Sequence, residues 1–201
     1  MGMFYKHWHM RSDKRPANTN ELQDAIFQHR RFEPIDKLEY GDHGLHAAAE
    51  LILDAIKQGK KIALYADYDV DGTMSCVSWL WFLRAIGHDQ VLHHIPCRFS
   101  EGYGLNMQAI KKLIHEDGAE LIITMDTGIT ANAEAAYCKS QNVDFICTDH
   151  HKIQPEKMPD CVILNPKTNP DPIYQELCGC GITFVLLRFL GKEFKLSLIH
   201  I

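Results

Sequence analysis

Hydrophobic positions along the chain change rhythm as it proceeds. The stretch HGLHAAAELILDAIKQG, residues 43–59, is rich in helix formers, and Gly59 stands where a helix C-terminus favours a residue tolerant of positive φ. Short apolar runs follow at KIALYA (61–66), QVLHHIP (90–96), ELIITM (120–125), VDFICT (143–148) and CVILN (161–165), and their length and bounding residues predict strands. Helical patterns lie between or after them: Thr73–Ile86, about Asn106–Glu116, about Asn132–Ser140 and about Gly181–Leu190. Such alternation with short connections predicts right-handed βαβ units, hence an α/β fold with a parallel β-sheet flanked by helices. Ahead of this block, Thr19–Arg30 carries Leu22, Ala25 and Ile26 at amphipathic spacing and stops before Pro34, which predicts one more short helix. Residues 151–172 are rich in proline and polar side chains and predict loop around one short strand.

Composition narrows the class. The 201 residues, 46% hydrophobic and 23% charged, suit one medium-sized globular domain and the start of a second. A formal charge of −5 argues against a generally basic nucleic-acid coat, yet it leaves a local groove open, and carboxylates at a metal site would inflate the negative count. Seven cysteines spread singly, with no C-x-x-C spacing, fit reduced thiols in a cytoplasmic protein. The N-terminal MGMFYKHWHMRSDK lacks an apolar signal core. The most apolar stretch, Thr73–Gly87, is shorter than the roughly 20 residues that span a bilayer, so no membrane partner is expected.

Three polar clusters follow three of the predicted strands. YADYDVDG brings Asp67, Asp69 and Asp71; TMDTGIT brings Asp126; CTDHHK brings Asp149, His150 and His151. In an open parallel sheet the carboxyl ends of the strands line one crevice, so the three clusters are expected to converge. Aspartates at i, i+2 and i+4 repel unless cations balance them, and carboxylates with imidazoles suit Mn²⁺ or Mg²⁺, whereas structural zinc would want closely spaced cysteines. Two ions sharing Asp126 is the simplest arrangement, and divalent ions roughly 3.5–4 Å apart can activate a water and stabilise an in-line displacement at phosphorus. Each cluster alone has a plainer reading. Asp71 before GTMSCV reads as a helix N-cap, Asp126 beside Gly128 as a turn residue, and His93 and His94 as strand-end residues. The coincidence of three clusters at three strand ends favours a phosphoester-hydrolysing metal site over those readings.

The strings ADYDVDG, MDTGI and TDHH resemble the first three motifs of the DHH phosphoesterases. The fuller strings KKIALYADYDVDGT, PCRFSEGYGL, GAELIITMDTGIT, DFICTDHH, VILNPK and LCGCGITFVLL are similar to the RecJ branch, the single-stranded-DNA-specific exonucleases, over about Leu45–Leu190. The resemblance implies removal of nucleotides from a 5′ end of single-stranded DNA with two Mn²⁺ or Mg²⁺ ions, in repair and recombination and alongside proteins of those processes. It implies that Asp69 and Asp71 each hold a metal, with Asp67 as ligand or support in the same acidic loop, while Asp126 bridges and His150 ligates. His151 would face the scissile phosphate, with Asp149 fixing an imidazole from behind. In RFSEGYGLN, Arg98 is the candidate for a backbone phosphate, Tyr103 for a base face, and Gly102 and Gly104 for close approach. The basic runs KQGKK and HRR read as solvated faces.

Departures shape the rest of the expectation. Tyr65 stands where pyrophosphatase relatives carry a histidine ligand, and Cys178 and Cys180 replace small apolar residues. The family's fourth metal-binding aspartate and its DHH-associated domain are expected beyond Ile201. The domain reading is an N-terminal helical extension over 1–42, an incomplete DHH phosphoesterase domain over 43–195 and an abrupt tail over 196–201, so the chain reads as truncated. Two alternatives stand beside the exonuclease: a small-substrate DHH phosphatase acting on oligoribonucleotides, cyclic dinucleotides or pyrophosphate, and a noncatalytic metal-binding or DNA-binding remnant.

Overall fold

The burial pattern of the strands explains why the chain folds as a three-layer sandwich. In a computed structural model, which describes residues 39–196, every residue of β1 (Ile62–Ala66) and β3 (Leu121–Met125) is buried, as befits strands covered on both faces. With β2 (Val91–His94), β4 (Asp144–Thr148) and β5 (Val162–Leu164) they form one sheet in the order β2-β1-β3-β4-β5, with every pairing parallel. The helix predicted over Thr19–Arg30, the HRR run and residues 197–201 lie outside the described residues.

Alternation along the strands divides the core. Ala63, Tyr65, Ile122, Phe145 and Cys147 face α3 (Met107–His115) and α4 (Asn132–Ser140), where they meet Ile110, Leu113, Ala135 and Cys138. The opposite face is covered by α1 (Leu45–Lys57), α2 (Val70–Ala85) and α6 (Gly179–Glu193), with Ile52, Trp79, Phe82 and Leu186 fully buried. Two single 3₁₀ turns, Pro155–Lys157 and Pro166–Thr168, stand within the region expected to be loop, and a short α5 (Pro172–Gln175) begins at its last residue. Proline at the first turn of each explains them, since its fixed φ suits a helix start.

Two helices begin earlier than their apolar pattern. α2 starts at Val70 rather than Thr73 because Asp69 caps it, its carboxylate accepting from Asp71 N at 2.8 Å and Gly72 N at 3.0 Å. α6 starts at Gly179 because the Cys178 thiol caps it, accepting from Gly181 N at 3.4 Å. At the other end of α1, Gly59 follows the C-cap with φ 66°. None of the described helices is long and apolar enough to cross a membrane.

The strand order places the site. β1 runs outward to β2 on one side and to β3 on the other, so the carboxyl ends of β1 and β3 open a crevice at the point where the order reverses. The acidic loop after β1 and Asp126 after β3 emerge there, with the Asp149–His151 segment one strand away after β4. Lys60 and Lys61 lie at the opposite end, where Lys60 Nζ pairs with Asp144 at 3.0 Å and Lys61 Nζ donates to Asp117 O at 2.9 Å.

Candidate metal centre

Each side chain of the centre is aimed by a specific local structure. Asp67 continues β1, and its N donates to Met125 O at 3.0 Å, which draws the acidic loop against the end of β3. Gly72 makes the next turn possible, because a Cβ there would lie 2.4 Å from Asp67 O. Asp126 adopts φ 61°, left-handed for a residue with a side chain, and its N donates to Thr148 O at 3.0 Å. This twist turns the carboxylate back over the crevice.

Two groups of donor atoms result, and Asp126 belongs to both. Asp67, Asp69 and Asp126 offer carboxylate oxygens within 4.8 Å of one another, and Asp126, His150 and His151 offer an oxygen and two ring nitrogens within the same span. Asp71 stands just outside these sets: its Oδ2 lies 3.9 Å from His150 Nε2, and its two oxygens accept from Gly179 N and Cys180 N, each at 2.8 Å. The N-terminus of α6 thus holds Asp71 with its positive dipole end. The cap reading weighed for Asp71 falls instead to Asp69.

The donor set fits divalent cations. Asp67 and Asp126 are 4% and 1% exposed, and one oxygen of each, Oδ1, is buried without a hydrogen-bond donor. His150 Nε2 lies 3.1 Å from Asp126 Oδ1 but outside hydrogen-bonding geometry, so that oxygen stays unsatisfied. Bare buried carboxylate oxygens are costly unless a cation supplies the missing partner. The charge balance says the same. Burial, followed by the nearby Asp71 and Asp69 carboxylates, pushes the Asp126 carboxyl up to about 8, and burial also raises Asp67.

The second imidazole is held differently. Burial opposes ionisation of Asp149, but hydrogen bonds from the His151 ring, Ile129 N and His151 N hold its carboxyl below the usual range. Its Oδ1 lies 2.7 Å from His151 Nδ1 and accepts from His150 N at 2.7 Å, while Oδ2 accepts from Ile129 N at 2.9 Å. The same contact, opposed by burial, raises His151 above the ordinary histidine value. Asn165, fully buried, donates from Nδ2 to His151 O at 3.1 Å and fixes the backbone.

Of the sequence-predicted residues, Asp67, Asp69, Asp126, His150 and His151 come together, with Asp71 and Asp149 directly beside them. Tyr103 also arrives, its hydroxyl 3.0 Å from His151 Nε2. Arg98 does not touch this group; its guanidinium stands 5.6 Å from the centre of the Tyr68 ring. Of the strand-end histidines, His94 Nε2 lies 2.8 Å from Glu101 Oε2, away from the donor sets. Tyr65 is buried in the core, its hydroxyl accepting from Asn106 N at 3.1 Å. Two contributors were missed: Asn165 and Gly179. A Cβ on Gly179 would stand 2.5 Å from Asp126 Oδ1, and the signal for it was the Gly-Cys-Gly run opening an apolar helix.

Shared carboxylates and paired histidines in a crevice at the end of a parallel sheet are what the resemblance to the DHH phosphoesterases led one to expect. The profile of the DHH family, N-terminal domain, matches residues 61–199, and the chain belongs to that family. Within it, the chain is 45% identical over 153 residues to the single-stranded-DNA-specific exonuclease RecJ of Bacillus subtilis strain 168, covering 75% of this chain and 19% of that protein. A crystal structure of exonuclease RecJ bound to manganese superposes with a TM-score of 0.72 at 34% identity, covering 82% of this chain and 41% of the other. RecJ from Thermus thermophilus in complex with Mg²⁺ gives 0.52 at 25% identity, covering 86% and 21%. The chain therefore spans between about a fifth and two fifths of the length of these relatives.

Proposed function

We propose that this chain supplies the metal centre of a RecJ-like, 5′-to-3′ single-stranded-DNA exonuclease that uses two Mn²⁺ or Mg²⁺ ions, in cytoplasmic DNA repair and recombination. The observation that carries the reading is Asp126, buried, shared by two donor groups and left with an orphaned oxygen. Asp67, Asp69 and Asp126 would hold one ion, and Asp126 with His150 the other, with Asp71 oriented by α6 beside both. When bound, such ions supply an acidified water and positive charge for a phosphodiester. The relatives' likeness in sequence and fold, and the manganese and magnesium in their structures, support the choice of substrate and ion.

The chain's own groups complete the chemistry. His151, kept protonatable by Asp149, offers a proton or hydrogen bond to a phosphate oxygen at the rim, where its side chain is 43% exposed. Phe99 and Tyr103, 98% and 62% exposed on one loop with Arg98, offer ring faces and a cation to an unpaired strand. Incubation with Mn²⁺ and end-labelled single-stranded DNA should release nucleotides from the 5′ end, and Asp126→Ala should lose on the order of a thousandfold or more in rate. Equal rates in the two proteins would falsify the assignment, and faster cleavage of dinucleotides than of long strands would move the substrate to small molecules.

A further inference from the structure

The Cys97–Leu105 loop reaches the centre from the end of β2 and is tied at both ends. Glu101 accepts from Cys97 N at 2.9 Å through Oε1 and meets His94 Nε2 at 2.8 Å through Oε2. Beyond the tip, the Tyr65 hydroxyl accepts from Asn106 N and donates to Gly104 O at 3.4 Å. Tyr103 sits between these ties, flanked by Gly102 at φ 82° and Gly104 at φ 88°. A Cβ on either glycine would meet nothing within 4 Å. The two glycines therefore serve torsional freedom, not space, and make Tyr103 a side chain on two hinges.

What that side chain touches is specific. Asp149 Oδ1, 2.7 Å from Nδ1, engages one ring nitrogen of His151, so the other, Nε2, is the one left to face Tyr103. The Tyr103 hydroxyl is hydrogen-bonded to it at 3.0 Å, with the two rings edge to face at 6.0 Å. The result is a chain from Asp149 through His151 to Tyr103 that occupies the nitrogen a phosphate would need. Beside the phenol opens a cavity of about 480 Å³, bordered by Tyr103, Leu105, Ile129, Glu134, His151 and Lys152.

We propose that Tyr103 is a specificity-determining positioning residue: its hydroxyl caps His151 Nε2 until an unpaired base entering this cavity draws the ring away, so that base stacking and the release of His151 are one motion. The inference rests on the exonuclease reading above and adds a reason for preferring single strands. An unpaired base offers a free π face, whereas bases inside a duplex have both faces covered by their neighbours. A substrate without a base would bind its phosphate yet leave His151 capped.

The test compares strands with and without a base at the terminal nucleotide, cleaved by the protein and by Tyr103→Phe, which keeps the ring and removes the hydroxyl. The wild type should show a kcat on the order of tenfold lower on the abasic strand, the scale of one stacking contact. Tyr103→Phe should bring the two kcat values to within about threefold while KM still favours the base, since the ring that stacks is retained. An unchanged kcat ratio in the variant overturns the proposal. A second readout needs neither metal nor turnover: at fixed pH, the His151 Nε2 signal in isotope-labelled NMR should move on Tyr103→Phe and on adding a thymidine dinucleotide, but not on adding an abasic sugar phosphate. A signal insensitive to the variant also overturns it. If no strand is cleaved at all, the exonuclease reading falls, and the NMR comparison still decides the hydroxyl contact by itself.

Discussion

Asp126 sits in an environment that opposes its own ionisation. It is 1% exposed, stands at φ 61° and lies among like charges. An asparagine in its place would keep the shape and tolerate left-handed backbone, but it carries no charge. Asp126→Asn should therefore raise the metal-free melting temperature at about pH 8.5, above the value of about 8 for Asp126, by on the order of 1–2 kcal/mol or a few degrees. The same variant should lose the melting shift that Mn²⁺ gives the wild type. A lower melting temperature without metal would show that the charge is compensated in some other way. Gly179→Ala probes the neighbouring contact, because its new Cβ would press on Asp126 Oδ1. Overpacking of this kind costs about 1–3 kcal/mol, and Mn²⁺ affinity read by calorimetry should fall with it.

At the level of elements, helix ends do much of the positioning. Asp69 both caps α2 and faces the centre, so its replacement confounds two effects. Asn106 separates them: its side chain accepts from Gln108 N at 2.8 Å and Ala109 N at 3.2 Å at the start of α3, away from the metal donors. Asn106→Ala should cost about 1 kcal/mol in chemical denaturation, as caps generally do, and leave Mn²⁺ affinity unchanged. Weakened metal binding in that variant would mean that α3 transmits its start, through Tyr65 and the Cys97–Leu105 loop, to the centre. A further lesson comes from α6, whose first two N–H groups, those of Gly179 and Cys180, hold Asp71 while the Cys178 thiol caps the next, on Gly181. That contact binds a helix 108 residues away in sequence to the acidic loop.

At the scale of the whole molecule, the crevice links stability to pH. Asp126 and Asp67 have carboxyls raised by burial, so in the metal-free chain the folded state holds protons that the unfolded state releases. Stability from these groups is present below the unfolded carboxylate value and is lost as pH climbs to about 8. His151, raised by its contact with Asp149, acts in the same direction at higher pH than an ordinary histidine. Asp149 has the opposite sign: its lowered carboxyl stabilises above the unfolded value and ceases to do so in acid. Thermal melts without metal should therefore decline from about pH 5 to about pH 8, and saturating Mn²⁺ should reverse the decline, adding about 2.7 kcal/mol at roughly a hundredfold excess over Kd. A flat metal-free profile would mean that Asp126 is ionised throughout.

Periodicity alone was enough to read the parallel sheet, because strands buried on both faces and helices with one apolar face leave local signatures in any sequence. The carboxylates and histidines were legible for a similar reason: they follow their strands within a few residues, and strand ends of a parallel sheet meet in one place. What the tertiary structure decided was every relation between distant segments. The α6 amides on Asp71, the missing side chain of Gly179 against Asp126 and the Tyr103 hydroxyl on His151 each join residues that are far apart along the chain. No local pattern encodes such contacts, since they depend on how whole layers pack and on torsions, such as φ 61° at Asp126, that only the folded surroundings can enforce.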